Sequence, residues 1–100
     1  MGFKSGTALG QMTPSPVIEL NRAVAIAMSE GYQEGLSLIN ELAEQLKTYY
    51  LFHAARADLL RRLEQWDDAK NAYILALELC DNETEYQFLS RRLTEIDSYL

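Results

Sequence analysis

The chain has 100 residues, a single cysteine, a single histidine and a net charge of −6. That describes one small domain with no internal disulfide, no multi-cysteine zinc site and little cationic surface for gripping a phosphate backbone. Its 48% apolar and 24% charged residues are the proportions of a globular chain, not a disordered one. No apolar run reaches the ~18 residues of a membrane span and no charged-then-apolar leader opens the chain, so a cytoplasmic protein is expected.

Residues 1–14 hold three of the five glycines and show no sustained period. They read as a flexible segment or linker remnant, and the chain as a piece of a longer protein. From Ser15 onward the pattern is helical. Ser15 is placed to cap, and Pro16 stands at the first helical position, where its missing N–H costs nothing. The first helix should run to Gly31, a stop residue. Ile18, Arg22, Ala25, Ile26 and Ser29 share one of its faces, and alanines at 23, 25 and 27 permit close approach of a neighbour. The recurrence of Leu36, Ile39, Leu42, Ala43 and Leu46 predicts a second helix over 32–47. A third is expected over about 48–63. A fourth is expected over 67–80, with Tyr73, Ala76, Leu77 and Leu79 or Cys80 as its apolar contacts. The fifth starts at Asn82 as cap, with Glu85 three residues on in a capping-box arrangement, and Tyr86, Leu89, Leu93 and Ile96 form its stripe. Nothing reads as a strand. The short connections require antiparallel neighbours.

Shifting the chain by 34 residues pairs Arg22 with Arg56, Ala23 with Ala57, Ile26 with Leu60 and Glu30 with Glu64. It also pairs Tyr32 with Trp66, Glu34 with Asp68, Gly35 with Ala69, Ile39 with Tyr73 and Leu42 with Ala76. That period is the one of the tetratricopeptide repeat, a helix–turn–helix unit whose apolar face the next unit covers. Residues 66–79 resemble the second helix of such a repeat. The family pattern is broken at Arg22 and Arg56, where leucine is usual, at Glu19 and His53, where tryptophan is, and at Asp81, where proline is common. The expected fold is all-α: antiparallel helix pairs in a right-handed tetratricopeptide-like stack of about five helices. Residues 15–100 would form two repeats plus a C-terminal capping helix.

Three segments are more specific: SPVIELNRAVAIAMSEG at 15–31, HAARADLLRRLEQWDDAKNAYILALEL at 53–79 and NETEYQFLSRRL at 82–93. In this order and spacing they resemble the C-terminal region of bacterial extracytoplasmic-function sigma factors that carry a tetratricopeptide-like extension. The resemblance spans about residues 14–96. It implies a regulatory tail that contacts proteins: the sigma core regions, RNA polymerase, or a small ferredoxin-like protein of the YCII-related type. Promoter binding would belong to upstream regions, so no direct nucleic-acid, membrane or small-molecule partner is implied for this piece. The alternative is a free-standing repeat adaptor that binds a peptide or helix of a partner.

Arg22 and Arg56 fall at inner positions of the expected first helices, where an unpaired charge is very costly. They would pair with Glu19, Asp58 or a carboxylate on a neighbouring helix, or anchor an acidic residue of a partner. Repeat proteins of this kind line their groove with the first helix of each pair. That gives Leu20, Val24, Ala27 and Met28 in the first repeat, and Leu51, Ala54, Asp58, Arg61 and Arg62 in the second. Chaperone-binding members clamp a carboxylate with basic and amide side chains. Leu20 and Val24 stand at two of those clamp positions, which argues against that activity. Arg61, Arg62, Arg91 and Arg92 near helix ends, and Asp67 and Asp68 at a helix start, suit the helix dipoles. His53 in an apolar helix reads as a packed side chain and Cys80 as semi-buried. Tyr49, Tyr50, Tyr86 and Tyr99 are core or interface aromatics. No nucleophile elbow, phosphate loop, dinucleotide fingerprint or calcium loop is present. No catalytic residue, cofactor or metal ligand is therefore expected.

Overall fold

The computed structural model describes residues 15–100; the segment at 1–14, expected to be a flexible linker, lies outside the described residues. Five helices follow in order: α1 Pro16–Ser29, α2 Tyr32–Glu41, α3 Tyr50–Arg62, α4 Trp66–Leu79 and α5 Glu83–Asp97, with no strand among the described residues. Neighbours in sequence are neighbours in space, α3 with α4 and α1 with α2 most closely, and the chain is an all-α stack of helix pairs.

The caps follow from local chemistry. Ser15 Oγ accepts from the Val17 amide at 3.2 Å, and Asn82 Oδ1 accepts from the Glu85 amide at 3.0 Å. The second is half of a capping box, satisfying one orphan donor of α5. The α3–α4 connection is a Schellman closure, with Glu64 N–H donating to Arg61 C=O at 2.9 Å and Gln65 N–H to Leu60 C=O at 2.9 Å. This puts Glu64 at φ 61°, a conformation that favours glycine. Glu64→Gly should therefore raise stability by ~0.5–1 kcal/mol in a urea melt; a loss would deny that this turn carries strain.

The second helix differs from its sequence expectation. α2 ends at Glu41, and 42–48 continue as tighter turns, with Leu42 N–H bonded back to Ile39 C=O and Tyr49 N–H to Leu46 C=O. The departure from the helix lets Leu46 return to the core and points the Lys47 carbonyl at His53, whose Nε2 donates to it at 2.7 Å. His53 is thus a buried, hydrogen-bonded side chain, edge-on to Phe52 with ring centroids 4.9 Å apart.

The two 34-residue units bury matching positions. Ala23 and Ala57, Gly35 and Ala69, and Ile39 and Tyr73 are all interior. α1 and α2 approach closely at Gly35, where a Cβ would stand 2.8 Å from Ala23 O and 2.8 Å from Ala27 Cα. Within α1 the core-facing residues are Leu20, Ala23 and Ala27, while Ile18, Arg22, Ala25 and Ser29 lie toward solvent. α5 closes the far end: Leu89 and Ile96 are buried, Leu93 is half-buried, and Tyr86 stays exposed. Lys70 Nζ meets Asp97 Oδ1 at 3.3 Å, and Tyr99 stacks on Trp66 with centroids 4.2 Å apart.

Candidate protein-interaction surface

α3 builds the densest polar cluster. Its last turns carry Asp58, Arg61 and Arg62 at spacings that bring all three together on one side of a helix. Arg61 Nη2 donates to Asp58 Oδ1 at 2.7 Å and Arg62 Nε to Asp58 Oδ2 at 2.9 Å. Arg62 Nη1 also donates to the Tyr32 hydroxyl at 3.2 Å, and its guanidinium lies 5.4 Å from the Tyr32 ring centroid. One carboxylate therefore orients two guanidinium groups, and the start of α2 braces the second.

Burial acts to raise the Asp58 carboxyl pKa, but the hydrogen bonds from Arg61 and Arg62 outweigh it and hold the group below the usual carboxylate range. A lowered folded-state value adds stability that is fully present above the unfolded value, ~3.9, and is lost as pH falls through the folded one. The stability gap between the chain and Asp58→Asn should accordingly be wide at pH 7 and shrink below about pH 4 in urea melts. A gap independent of pH would deny the paired carboxylate.

Behind this cluster Tyr73 of α4 is buried, its hydroxyl beside the Arg61 guanidinium. Burial raises the Tyr73 phenol pKa, Asp58 adds to the rise, and Arg61 and Arg92 oppose it. Arg92 of α5 donates to Glu95 Oε1 at 3.2 Å and lies over the Phe88 ring at 5.1 Å. Arg61 Nε and Arg92 Nε are both buried donors without an acceptor. Neither atom reaches solvent; Arg61 and Arg92 flank Tyr73, and the Arg92 guanidinium borders the exposed Phe88.

The expected groove residues divide. Asp58, Arg61 and Arg62 form the cluster just described, Val24 and Ala54 are half-buried against the core, and Met28 (51% exposed) and Leu51 (39%) are free to meet a partner. Leu20 is not a groove residue. At 4% exposure it is core, as is Ala27, because both share the α1 face that closes on α2. Arg22 is not an inner charge: its side chain is 67% exposed and pairs with Glu19 at 3.3 Å. Arg56 is half-buried and donates from Nε to Asn40 Oδ1 at 2.8 Å, so its partner is an amide and not a carboxylate. Arg22 and Arg56 hold equivalent places on separate helices and do not form a joint site.

Sequence reasoning missed Tyr32, Tyr73 and Phe88 as neighbours of the arginines. The 34-residue shift marked the first two as repeat positions, but only the folded pairs show which charge they flank. Cys80 is half-buried, its Sγ 3.4 Å from Asn82 O. Among the described residues no group of three His, Cys, Asp or Glu side chains could hold a metal, and no helix is long and apolar enough to cross a membrane.

No family model matches the chain, and no solved structure does. A protein of Rhizobium meliloti (strain 1021), itself named only as uncharacterised, is 35% identical over 89 residues. The match takes in 89% of this chain and 21% of the relative, so the chain spans about a fifth of that protein's length.

Proposed function

We propose that this chain is a cytoplasmic protein–protein interaction domain without enzymatic activity, the C-terminal regulatory region of an extracytoplasmic-function sigma factor. The observation that carries the interaction reading is the α3–α5 cluster. In a chain of net charge −6, Arg61, Arg62 and Arg92 are fixed by Asp58, Tyr32 and Glu95, and the Arg62 side chain keeps 36% of its surface exposed. The Arg62 guanidinium pre-oriented by Asp58, and the exposed Phe88 beside Arg92, suit a carboxylate and an apolar side chain of a partner segment. The sigma-factor part rests on the three resembling segments. A relative in which the same region is about a fifth of the chain is compatible with further domains beside it.

The partner is then a protein: the sigma core regions, RNA polymerase or a small regulatory protein. A free-standing adaptor is the second reading, favoured by the internal repeat alone. Calorimetric titration of the chain with the sigma core regions should give binding that Arg62→Glu weakens at least ~10-fold with the circular dichroism unchanged, the cost of turning an attractive contact repulsive. Binding indifferent to Arg62→Glu would remove the cluster from the interface. The same chain should not retard promoter DNA at physiological salt, since its charge releases few counterions; tight, salt-sensitive retardation would overturn the protein-binding assignment.

A further inference from the structure

A shallow groove of about 150 Å³ lies between α1 and α2, lined by Glu19, Arg22, Ala23, Ile26, Leu38, Glu41 and Leu42. Moved on by one repeat, these positions are His53, Arg56, Ala57, Leu60, Ala72, Leu75 and Ala76. All of those are buried except Arg56, which is half-buried, and Leu75 at the rim, which is exposed. The later face is covered by the end of α2 and the turns that follow. Asn40 accepts from Arg56 at 2.8 Å, Lys47 C=O accepts from His53 at 2.7 Å, and Leu46 is buried. One repeat earlier, Ile26, Leu38 and Leu42 are each only half-buried. The same face is thus an interface in the second unit and an open groove in the first.

We infer that the α1–α2 groove is a docking site for the stretch of the same polypeptide that leads into α1. The register names the occupant. Ser15 and Tyr49 hold the N-cap positions of α1 and α3, 34 residues apart, so 6–13 correspond to 40–47. Leu9 then stands at the place of Ala43, Gln11 at that of Gln45 and Met12 at that of buried Leu46. Gly6 stands at the place of Asn40, the acceptor for Arg56, and Arg22 donates within its own helix instead, to Glu19. The occupant is accordingly apolar and anchored by Met12 and Leu9. The inference stands on the repeat and is independent of the transcription reading.

The test is thiol labelling in the full chain with Cys80→Ser. Ile26→Cys and Leu38→Cys report on the groove, and Ala25→Cys, exposed on the same helix, is the reference. Iodoacetamide should label the groove thiols several-fold more slowly than the reference. Met12→Asp, or Leu9→Asp as a second variant, should bring them up to it while circular dichroism stays unchanged. Groove thiols that label as fast as the reference with Met12 and Leu9 intact would overturn the inference. So would slow labelling that survives both aspartates. If dilution then speeds it, a second copy fills the groove; if not, its own walls shield it.

Discussion

Tyr73→Ala should cost ~3–5 kcal/mol of stability, the range for deleting a large buried aromatic side chain. Tyr73 is 1% exposed and is the largest fully buried side chain, set in α4 where α3 and α5 both pack. Its loss leaves a cavity and also strips Arg61 of the hydroxyl beside it. In a chain of this size each kcal/mol moves the melting point by ~4–8 °C, so the fall should be at least ~12 °C. Tyr73→Phe keeps the ring and removes only the hydroxyl, and should cost ~1 kcal/mol. If the two variants melt alike, the energy resides in the hydrogen bond and not in the filled space.

Ala57→Leu should cost ~1–3 kcal/mol through overpacking, although it adds apolar surface to a helix and leucine is a good helix former. Ala57 is fully buried, and in the equivalent first pair the helices approach so closely that Gly35 has no room for a Cβ. The second pair, with Ala69 at the matching place, admits that one carbon. A leucine brings three more. Ala25→Leu, the same change on the exposed side of α1, should stay within ~0.5 kcal/mol. An unchanged melting curve for Ala57→Leu would contradict the 34-residue register on which the account of the fold rests.

Much of this architecture is local and therefore legible in the chain. Ser15–Pro16 and Asn82 announce two helix starts because a cap needs only its own side chain and an amide two or three residues away. The repeat is legible because the small residues at 23, 35, 57 and 69 do one job, close helix contact, that few other side chains can do. The end of α2 is not legible. Residues 42–47 carry no glycine or proline, and favour helix by composition. They leave it for contacts made with α3, through His53 and the buried Leu46.

The binding surface was read less well, for a related reason. Arg22 and Arg56 are the same residue at the same repeat position, yet they differ in burial. A repeat position acquires its environment from the unit before it, and α3 has α2 to lean on. Leu20 is a groove position only by carry-over from the repeat family; its spacing from Ala23 and Ala27 places it on the closing face. Asp58, Arg61 and Arg62 stand among the expected groove residues, but their mutual pairing, although helical and short-range, is not part of that expectation. Tyr73 and Arg92 join the cluster only across α4 and α5.

The proposed function makes residues 15–100 a regulatory region of a longer transcription factor. Run-off transcription tests it most directly, with the parent protein intact and truncated before Ser15, on the same polymerase and promoter. Truncation should change the transcript yield, with the direction of the change giving the sign of the regulation. An unchanged yield would contradict it and leave the adaptor reading, whose target a pull-down would then have to supply.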